Sequence, residues 1–173
     1  MTEVKGGLDE LNKKIAALEV QLNAEIEKNI KFEQCTRREN LRFNNLREEE
    51  DEDCKSLIYK VIQNDMGIDT SGIKFHAVHR VGRKVENRCR PIIARFISRE
   101  DRNLILQHRG KIKHLQKYPD AYITEDFAKA IQEERKVLIK AMLKAREKEG
   151  LSNAKVVGRY LFINNEKIGR AHV

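Results

Sequence analysis

Near the N-terminus, apolar residues recur at alternating intervals of three and four positions, which places them on one seam of a helix. In this heptad register a lysine and a glutamate flank the seam, at positions where ion pairs form between chains. The pattern predicts a coiled coil over residues 1–36, and it also fits a single amphipathic helix that lies on a neighbouring domain. The residues assigned to oligomer formation are Leu8, Leu11, Lys14, Ile15, Leu18, Glu19 and Leu22.

Residues 37–124 alternate between strand-like and helix-like patterns and are expected to form one domain. Strands are predicted at residues 41–46, 73–81, 91–97 and 121–123. The first helix carries apolar residues at positions 57–62 and ends near Gly67, and the second is capped by Ser98 and stops near Gly110. The resulting order, β-α-β-β-α-β, is the ferredoxin-like pattern and also the order of an RNA-recognition domain.

Residues 125–173 are predicted to form a small C-terminal α+β domain. A long helix from Glu125 to Glu149 would be capped by Thr124, and a strand over residues 156–163 would turn back at Asn164. The final residues, 168–173, also correspond to one reading frame of a common sequencing-library adapter. We therefore expect the natural domain to be truncated near Lys167. The whole chain is expected to be α+β.

Charge is concentrated in one block of the chain. The 173 residues carry a formal net charge of +8, and residues 74–117 alone hold 13 Lys and Arg against 3 Asp and Glu. Like charges held close together repel one another, and a polyanion such as a nucleic acid is the usual partner that offsets this cost. The alternative is a solvated basic face without a partner.

Other classes of function have weaker support in the sequence. Six consecutive acids, Glu48 to Asp53, lack the alternating spacing of metal ligands, and they precede a helix whose dipole they complement. No nucleophile with its base and no phosphate-binding glycine loop is visible, so we predict a binding protein without a cofactor or metal. The chain lacks a membrane span or signal peptide, and its three Cys are expected to be reduced thiols inside the cell.

The alternation within the middle strands leaves two possible arrangements of the sheet. If Phe43 and Phe96 face the helices, the other side of the sheet presents Arg42 and Arg95. Guanidinium groups there would hold phosphates and stack on bases with little reading of sequence. The opposite arrangement would expose the two aromatic rings for base stacking, as in an ordinary RNA-recognition domain.

Four segments in this order resemble the RNA-binding first-open-reading-frame proteins of long interspersed (non-LTR) retrotransposons. They read RRENLR at residues 37–42, AVHRVG at 77–82, RPIIARF at 90–96 and AYITEDF at 121–127. The match spans nearly the whole chain. It departs from the family at Lys14, where a trimer-specifying motif has Arg, and at residues 44–47, where a turn containing Gly and Pro is more usual.

The resemblance implies a trimeric coiled coil, an RNA-recognition domain and a C-terminal domain that together coat RNA. We therefore expect binding of single-stranded RNA, with single-stranded DNA as an alternative, and nucleic-acid chaperone activity in ribonucleoprotein particles of the cytoplasm, with nuclear entry left open. The rival functions are a coiled-coil adaptor and a metal-dependent nuclease or transposase. The candidate RNA-binding residues are Arg37, Arg38, Arg42, His79, Arg80, Arg83, Lys84, Arg88, Arg90, Arg95, Arg99, Lys111, Lys113, Arg135 and Arg159.

Overall fold

The structure is a computed structural model, which describes residues 2–114, 117–149 and 153–170. The chain divides into two compact units. One unit is Thr36–Asp126, and the other combines Met1–Cys35 with Phe127–Val173. Both helices and antiparallel sheets are present, so the α+β class predicted from the sequence is confirmed.

The unit Thr36–Asp126 contains a four-stranded sheet and two main helices. In chain order its elements are β1 (Asn40–Asn44), α2 (Cys54–Lys60) with a π-helical turn (Val61–Asp65), β2 (Phe75–Arg80), β3 (Ile92–Phe96), α3 (Arg99–Gln107), a 3₁₀ helix (Arg109–His114) and β4 (Tyr122–Glu125). The preceding helix, α1, spans Thr2–Arg37. The strands are ordered β2-β3-β1-β4, and all neighbours are antiparallel. The first and third strands in chain order therefore lie at the centre of the sheet.

The core of this unit lies between one side of the sheet and the two helices. Phe43 and Phe96 are fully buried there with Ile58 of α2 and Ile105 of α3. Phe75 packs edge-on against Phe96, with ring centroids 4.8 Å apart. Because strand side chains alternate between the two sides, this packing decides which residues the outer side presents.

The helices of this unit begin at side-chain caps that the sequence suggests. Ser98 Oγ accepts hydrogen bonds from the backbone N–H groups of Glu100 and Asp101, so the predicted cap of α3 is confirmed. Asp53, the last residue of the acidic run, caps α2 in the same way. Gly67 has a φ of 64°, a left-handed conformation that favours glycine and ends the first helical segment as predicted.

The second unit contains α1 up to Cys35, α4 (Lys129–Glu149), β5 (Lys155–Val157), β6 (Tyr160–Ile163) and β7 (Glu166–Gly169). Leu138 of α4 and Leu161 of β6 form its small buried core. The α1 seam is exposed in the single chain, with Leu8, Leu11, Ile15, Leu18 and Leu22 between 52% and 63% accessible. None of the helices among the described residues is long and apolar enough to cross a membrane.

The strand bounds of the first unit fall within two residues of the sequence-based prediction, and α3 ends at Gln107, before the 3₁₀ helix that contains Gly110. Two other boundaries differ more. Thr124 does not cap α4, because Thr124 and Glu125 lie in β4 and the helix begins at Lys129. The strand predicted over residues 156–163 is two strands, since Gly158 adopts a φ of 55° and turns the chain. The turn at Asn164 and Asn165 is confirmed, and both residues have positive φ as a two-residue hairpin requires.

Candidate nucleic-acid interface

The outer face of the four-stranded sheet is the side turned away from α2 and α3. With Phe43 and Phe96 fully buried on the helix side, Arg42 and Arg95 occupy the outer face, which resolves the two arrangements left open by the sequence. The strand register places Arg42 opposite Ile93 on β3 and opposite Thr124 on β4. The two arginines therefore lie on the central strands, where an ordinary RNA-recognition domain carries aromatic rings.

Two further residues extend this face to the edge strand β2. His79 pairs with Ile93, and Ala77 pairs with Arg95, so His79 lies on the same face as the two arginines. Arg95 and His79 are both exposed, and within the described part of the chain no acidic side chain pairs with Arg95. A cation without such a partner keeps its charge available for a phosphate.

Arg42 is held in place by a buried carboxylate. The side chain of Asp126 is only 2% exposed, and its Oδ1 lies 3.7 Å from Nη2 of Arg42. Its Oδ2 accepts hydrogen bonds from Arg37 at 3.2 Å and from Asn40 at 2.9 Å. Arg37 and Arg42 therefore both contact this one buried carboxylate, which fixes Arg42 beside the outer face.

A structured loop, residues 81–91, adds cations at the end of β2 and β3. Its base is closed by a hydrogen bond of 3.0 Å from the N–H of Val81 to the carbonyl of Pro91. Arg83, Lys84 and Arg88 are all exposed in this loop. Arg42, Arg83, Arg88 and Arg90 line one cavity of about 410 Å³ between the loop and the sheet.

Tyr122 is a candidate binding residue that the sequence interpretation missed. It lies on β4 opposite Asn44, on the outer face, and is 44% exposed. Asn44 fixes this strand by donating hydrogen bonds to the carbonyl of Tyr122 and to the hydroxyl of Thr124. An exposed ring on a strand can stack on a base, and the alternation Tyr-Ile-Thr-Glu was the signal available in the sequence.

Arg80 was predicted to bind RNA, and the structure places it elsewhere. Its side chain is only 4% exposed. Arg80 pairs with Ile92 of β3, and this register directs its side chain to the helix side of the sheet. The guanidinium donates to the Glu52 carboxylate and to the carbonyls of Leu46, Arg47 and Arg90. All five N–H donors of the guanidinium form hydrogen bonds within the protein. Arg80 is therefore a structural residue and does not belong to the candidate interface.

Three acids of the run from Glu48 to Asp53 make similar contacts within the protein. Glu48 accepts hydrogen bonds from the backbone and side chain of Arg90, Glu52 pairs with Arg80, and Asp53 caps α2. Hydrogen bonds from Arg90 hold the pKa of Glu48 below its usual value, and those from Arg80 do the same for the pKa of Glu52. No group of His, Cys, Asp and Glu side chains suited to a metal ion occurs among the described residues.

These ion pairs predict a loss of stability in acid. A carboxylate whose pKa is lower in the folded state stabilises that state above its unfolded pKa, and the stabilisation is lost as pH falls through the folded pKa. We expect the free energy of unfolding to decrease as the pH is lowered below about 4.5, the ordinary pKa of these carboxyl groups. Denaturant titrations of the protein and of Glu52→Gln at several pH values measure this, and Glu49→Gln, an exposed neighbour, is the control. An equally steep acid loss in Glu52→Gln would contradict the role given to this pair.

Several other predicted RNA-binding residues also have partners within the protein. Arg38 and Arg99 both donate to the Glu39 carboxylate, but each stays about half exposed, so they remain candidates. Nζ of Lys111 donates to the carbonyl of Met66 at 3.0 Å. The side chain of Lys113 lies outside the described residues.

The two candidates in the second unit have mainly structural contacts. Arg135 stacks over the Phe127 ring at 4.3 Å and donates to the carbonyl of Gly158. Arg159 is 15% exposed and pairs with two carboxylates, Glu134 and Glu27. Both side chains stabilise the packing of this unit, and their assignment to RNA binding is not supported by these contacts.

No protein-family model matches the chain, and no curated protein matches its sequence.

Proposed function

We propose that the chain binds single-stranded RNA with little sequence preference, through the outer face of the Thr36–Asp126 unit. The observation that supports this proposal is Arg95, which lies on a central strand of that face beside Arg42 and His79. Arg95 is exposed, and no acidic side chain among the described residues pairs with it. The β-α-β-β-α-β order and the strand order β2-β3-β1-β4 are those of a ferredoxin-like RNA-recognition domain. The four sequence segments that resemble retrotransposon first-open-reading-frame proteins support the same function.

The chemistry of this face favours phosphates over base edges. Guanidinium groups bind two phosphate oxygens at once and stack on bases of any identity. The exposed Tyr122 ring would add a stacking surface that also tolerates every base. Contacts of this kind give affinity and fix the path of the strand, but they carry little sequence information. Single-stranded DNA shares the phosphate and the base rings and is the alternative ligand.

We further propose that the protein coats RNA as a homo-oligomer, with a trimer favoured, and acts as a nucleic-acid chaperone in cytoplasmic ribonucleoprotein particles. The exposed apolar seam of α1 supports assembly, because helices bury such a seam against copies of themselves. Entry into the nucleus is an additional expectation of the retrotransposon resemblance. We propose a binding role rather than catalysis, since three acids of the 48–53 run, Glu48, Glu52 and Asp53, pair with arginines or cap a helix.

Replacing Arg95 with Ala is expected to weaken binding equally across unrelated RNA sequences. The loss of one phosphate contact should also reduce the slope of log affinity against log salt by about one. Filter binding of several unstructured RNAs at a series of salt concentrations measures both effects. Lys60→Ala removes an exposed positive charge from α2, on the opposite side of the sheet, and should leave the slope unchanged. Salt-independent binding by the parent protein would refute the proposal.

A coiled-coil adaptor without RNA is the competing function, and the exposed seam of α1 is equally compatible with it. The two functions differ in what the purified protein carries. An RNA-coating protein should copurify with nucleic acid that nuclease and high salt remove, which lowers the ratio of absorbance at 260 to that at 280 nm. A coiled-coil adaptor would show the absorbance ratio of pure protein before any nuclease or salt treatment. It would also have no affinity for RNA in the filter assay.

A further inference from the structure

We propose that the cavity between loop 81–91 and the outer face binds the terminal phosphate of a nucleotide. This inference rests on the proposed RNA-binding function and adds a specific subsite to it. The cavity has a volume of about 410 Å³, within the range of sites that enclose small ligands. Its lining combines Arg42 from the sheet with residues 81–83 and 85 from one side of the loop and residues 88–91 from the other.

The loop holds its arginines in a defined arrangement. At the base, the N–H of Val81 donates to the carbonyl of Pro91, and at the tip Val85 and Arg88 form an isolated antiparallel bridge. Asn87 closes the tip with a φ of 61°, and Gly82 begins the loop with a φ of 95°. A loop closed at both base and tip loses less entropy when a ligand binds than a flexible one does.

The balance of charge in this cavity is strongly positive. Arg90 is paired with Glu48, and Arg42 shares Asp126 with Arg37. Arg83 and Arg88 are exposed, and no ion pair involves either of them within the described residues. Among the described residues no acidic side chain lines this cavity. Glu48, Glu86 and Lys84 line a neighbouring cavity, and Arg88 lines both cavities.

This excess charge is better matched by a terminal phosphate than by a phosphate inside the chain. An internal phosphodiester carries one negative charge, whereas a phosphate monoester carries about 1.5 to 2 at pH 7 and offers three acceptor oxygens. Two guanidinium groups without acidic partners can each bind such a group in a bidentate manner. The terminal phosphate could come from the 5′ end of an RNA strand or from a free nucleotide.

The test compares short RNAs that differ in one phosphate. An unstructured RNA of about six nucleotides, which falls within the footprint of a small single-strand binding site, is prepared with a 5′-phosphate or a 5′-hydroxyl. Fluorescence anisotropy with a 3′ label gives the two dissociation constants for the full chain. We expect the 5′-phosphorylated RNA to bind about tenfold more tightly, the effect of one additional charge-assisted contact.

Matched loop variants assign this preference to the cavity. Arg83→Ala and Arg88→Ala should reduce the ratio of the two dissociation constants to near one. Lys84→Ala removes an equal charge from a position of the same loop that does not line this cavity, and it should preserve the ratio. Adenosine monophosphate is added as a competitor to distinguish the sources. If it abolishes the preference at low concentration, the site accepts free nucleotides, and if it does not, the site requires the RNA end.

The inference is overturned if the parent protein shows no preference for the phosphorylated end. A preference that survives both arginine substitutions would also overturn it, because the contact would then lie outside the cavity. A long 5′-hydroxyl RNA measured in parallel separates the two proposals. If it binds with the expected salt dependence while the ratio is one, the terminal-phosphate subsite is wrong and the RNA-binding function stands. If it does not bind, the proposed function itself has failed.

Discussion

Replacing Arg80 with Met is expected to lower the free energy of unfolding by about 3–5 kcal/mol, the usual cost of removing one partner from a buried ion pair. The side chain of Arg80 is 4% exposed and that of Glu52 is 14% exposed, so water cannot replace the lost contacts fully. The substitution leaves the Glu52 carboxylate without its cation and three backbone carbonyls, those of Leu46, Arg47 and Arg90, without a donor. Urea denaturation followed by circular dichroism measures the change.

A matched substitution on the same sheet separates stability from binding. Arg95→Met makes the same chemical change on the exposed outer face and should alter the free energy of unfolding by less than about 0.5 kcal/mol while weakening RNA binding. Combining Arg80→Met with Glu52→Gln should restore part of the stability, because the buried carboxylate is then neutral. Normal stability of Arg80→Met together with weak RNA binding would show that Arg80 belongs to the interface after all.

The double substitution Ile15→Asp and Leu18→Asp is expected to produce a monomer that binds long RNA about 10²–10⁴-fold more weakly than the parent. Both residues lie on the α1 seam and are more than half exposed in the single chain, so their burial depends on other copies. Several RNA-binding units on one stalk raise the effective concentration of RNA for one another once the first unit has bound. A short RNA contacts one unit at a time, and its affinity should be nearly unchanged.

The seam contains few heptads, and short helices are marginally stable alone. Dissociation at low protein concentration is therefore expected, and light scattering at several concentrations measures the number of chains. Val20→Asp is the matched control, because Val20 is 70% exposed and occupies the outward f position of the heptad. It should leave both assembly and long-RNA affinity intact. A parent protein that stays monomeric at every concentration would contradict the prediction.

The element order could be predicted from local patterns, whereas the arrangement of β2 could not. Simple alternation would place Phe75, Ala77 and His79 on one side of the sheet. An irregularity in the pairing between Phe75 and Ala77 shifts the register, so that Phe75 and Val78 both contact the core. Such a bulge reverses the side on which every later residue lies, and it depends on pairing with β3 rather than on the sequence of β2. Arg80 falls on the buried side for this reason.

The candidate interface was likewise only partly predictable. The concentration of positive charge in residues 74–117 is a property of the chain, but the charge that remains available depends on distant acids. Arg80 and Arg90 find their carboxylates 28 and 42 positions away, while Arg83, Arg88 and Arg95 find none among the described residues. Composition alone could not separate these two groups, because both consist of arginines in the same segment.

The sequence by itself determined the features that depend on neighbouring residues. These are the heptad seam of α1, the cap at Ser98, the turn at Asn164 and the alternation that separates Phe43 from Arg42, and each follows from local backbone geometry or side-chain period. Tertiary structure decided which side of the sheet faces the helices, because burying Phe43 and Phe96 together requires strands that are distant in the chain. It also decided where β4 ends, since Thr124 and Glu125 pair with β1 and Asp126 accepts hydrogen bonds from Arg37 and Asn40. Long-range burial and ion pairing thus selected, from the many basic residues, the few that remain exposed on the outer face without an acidic partner among the described residues.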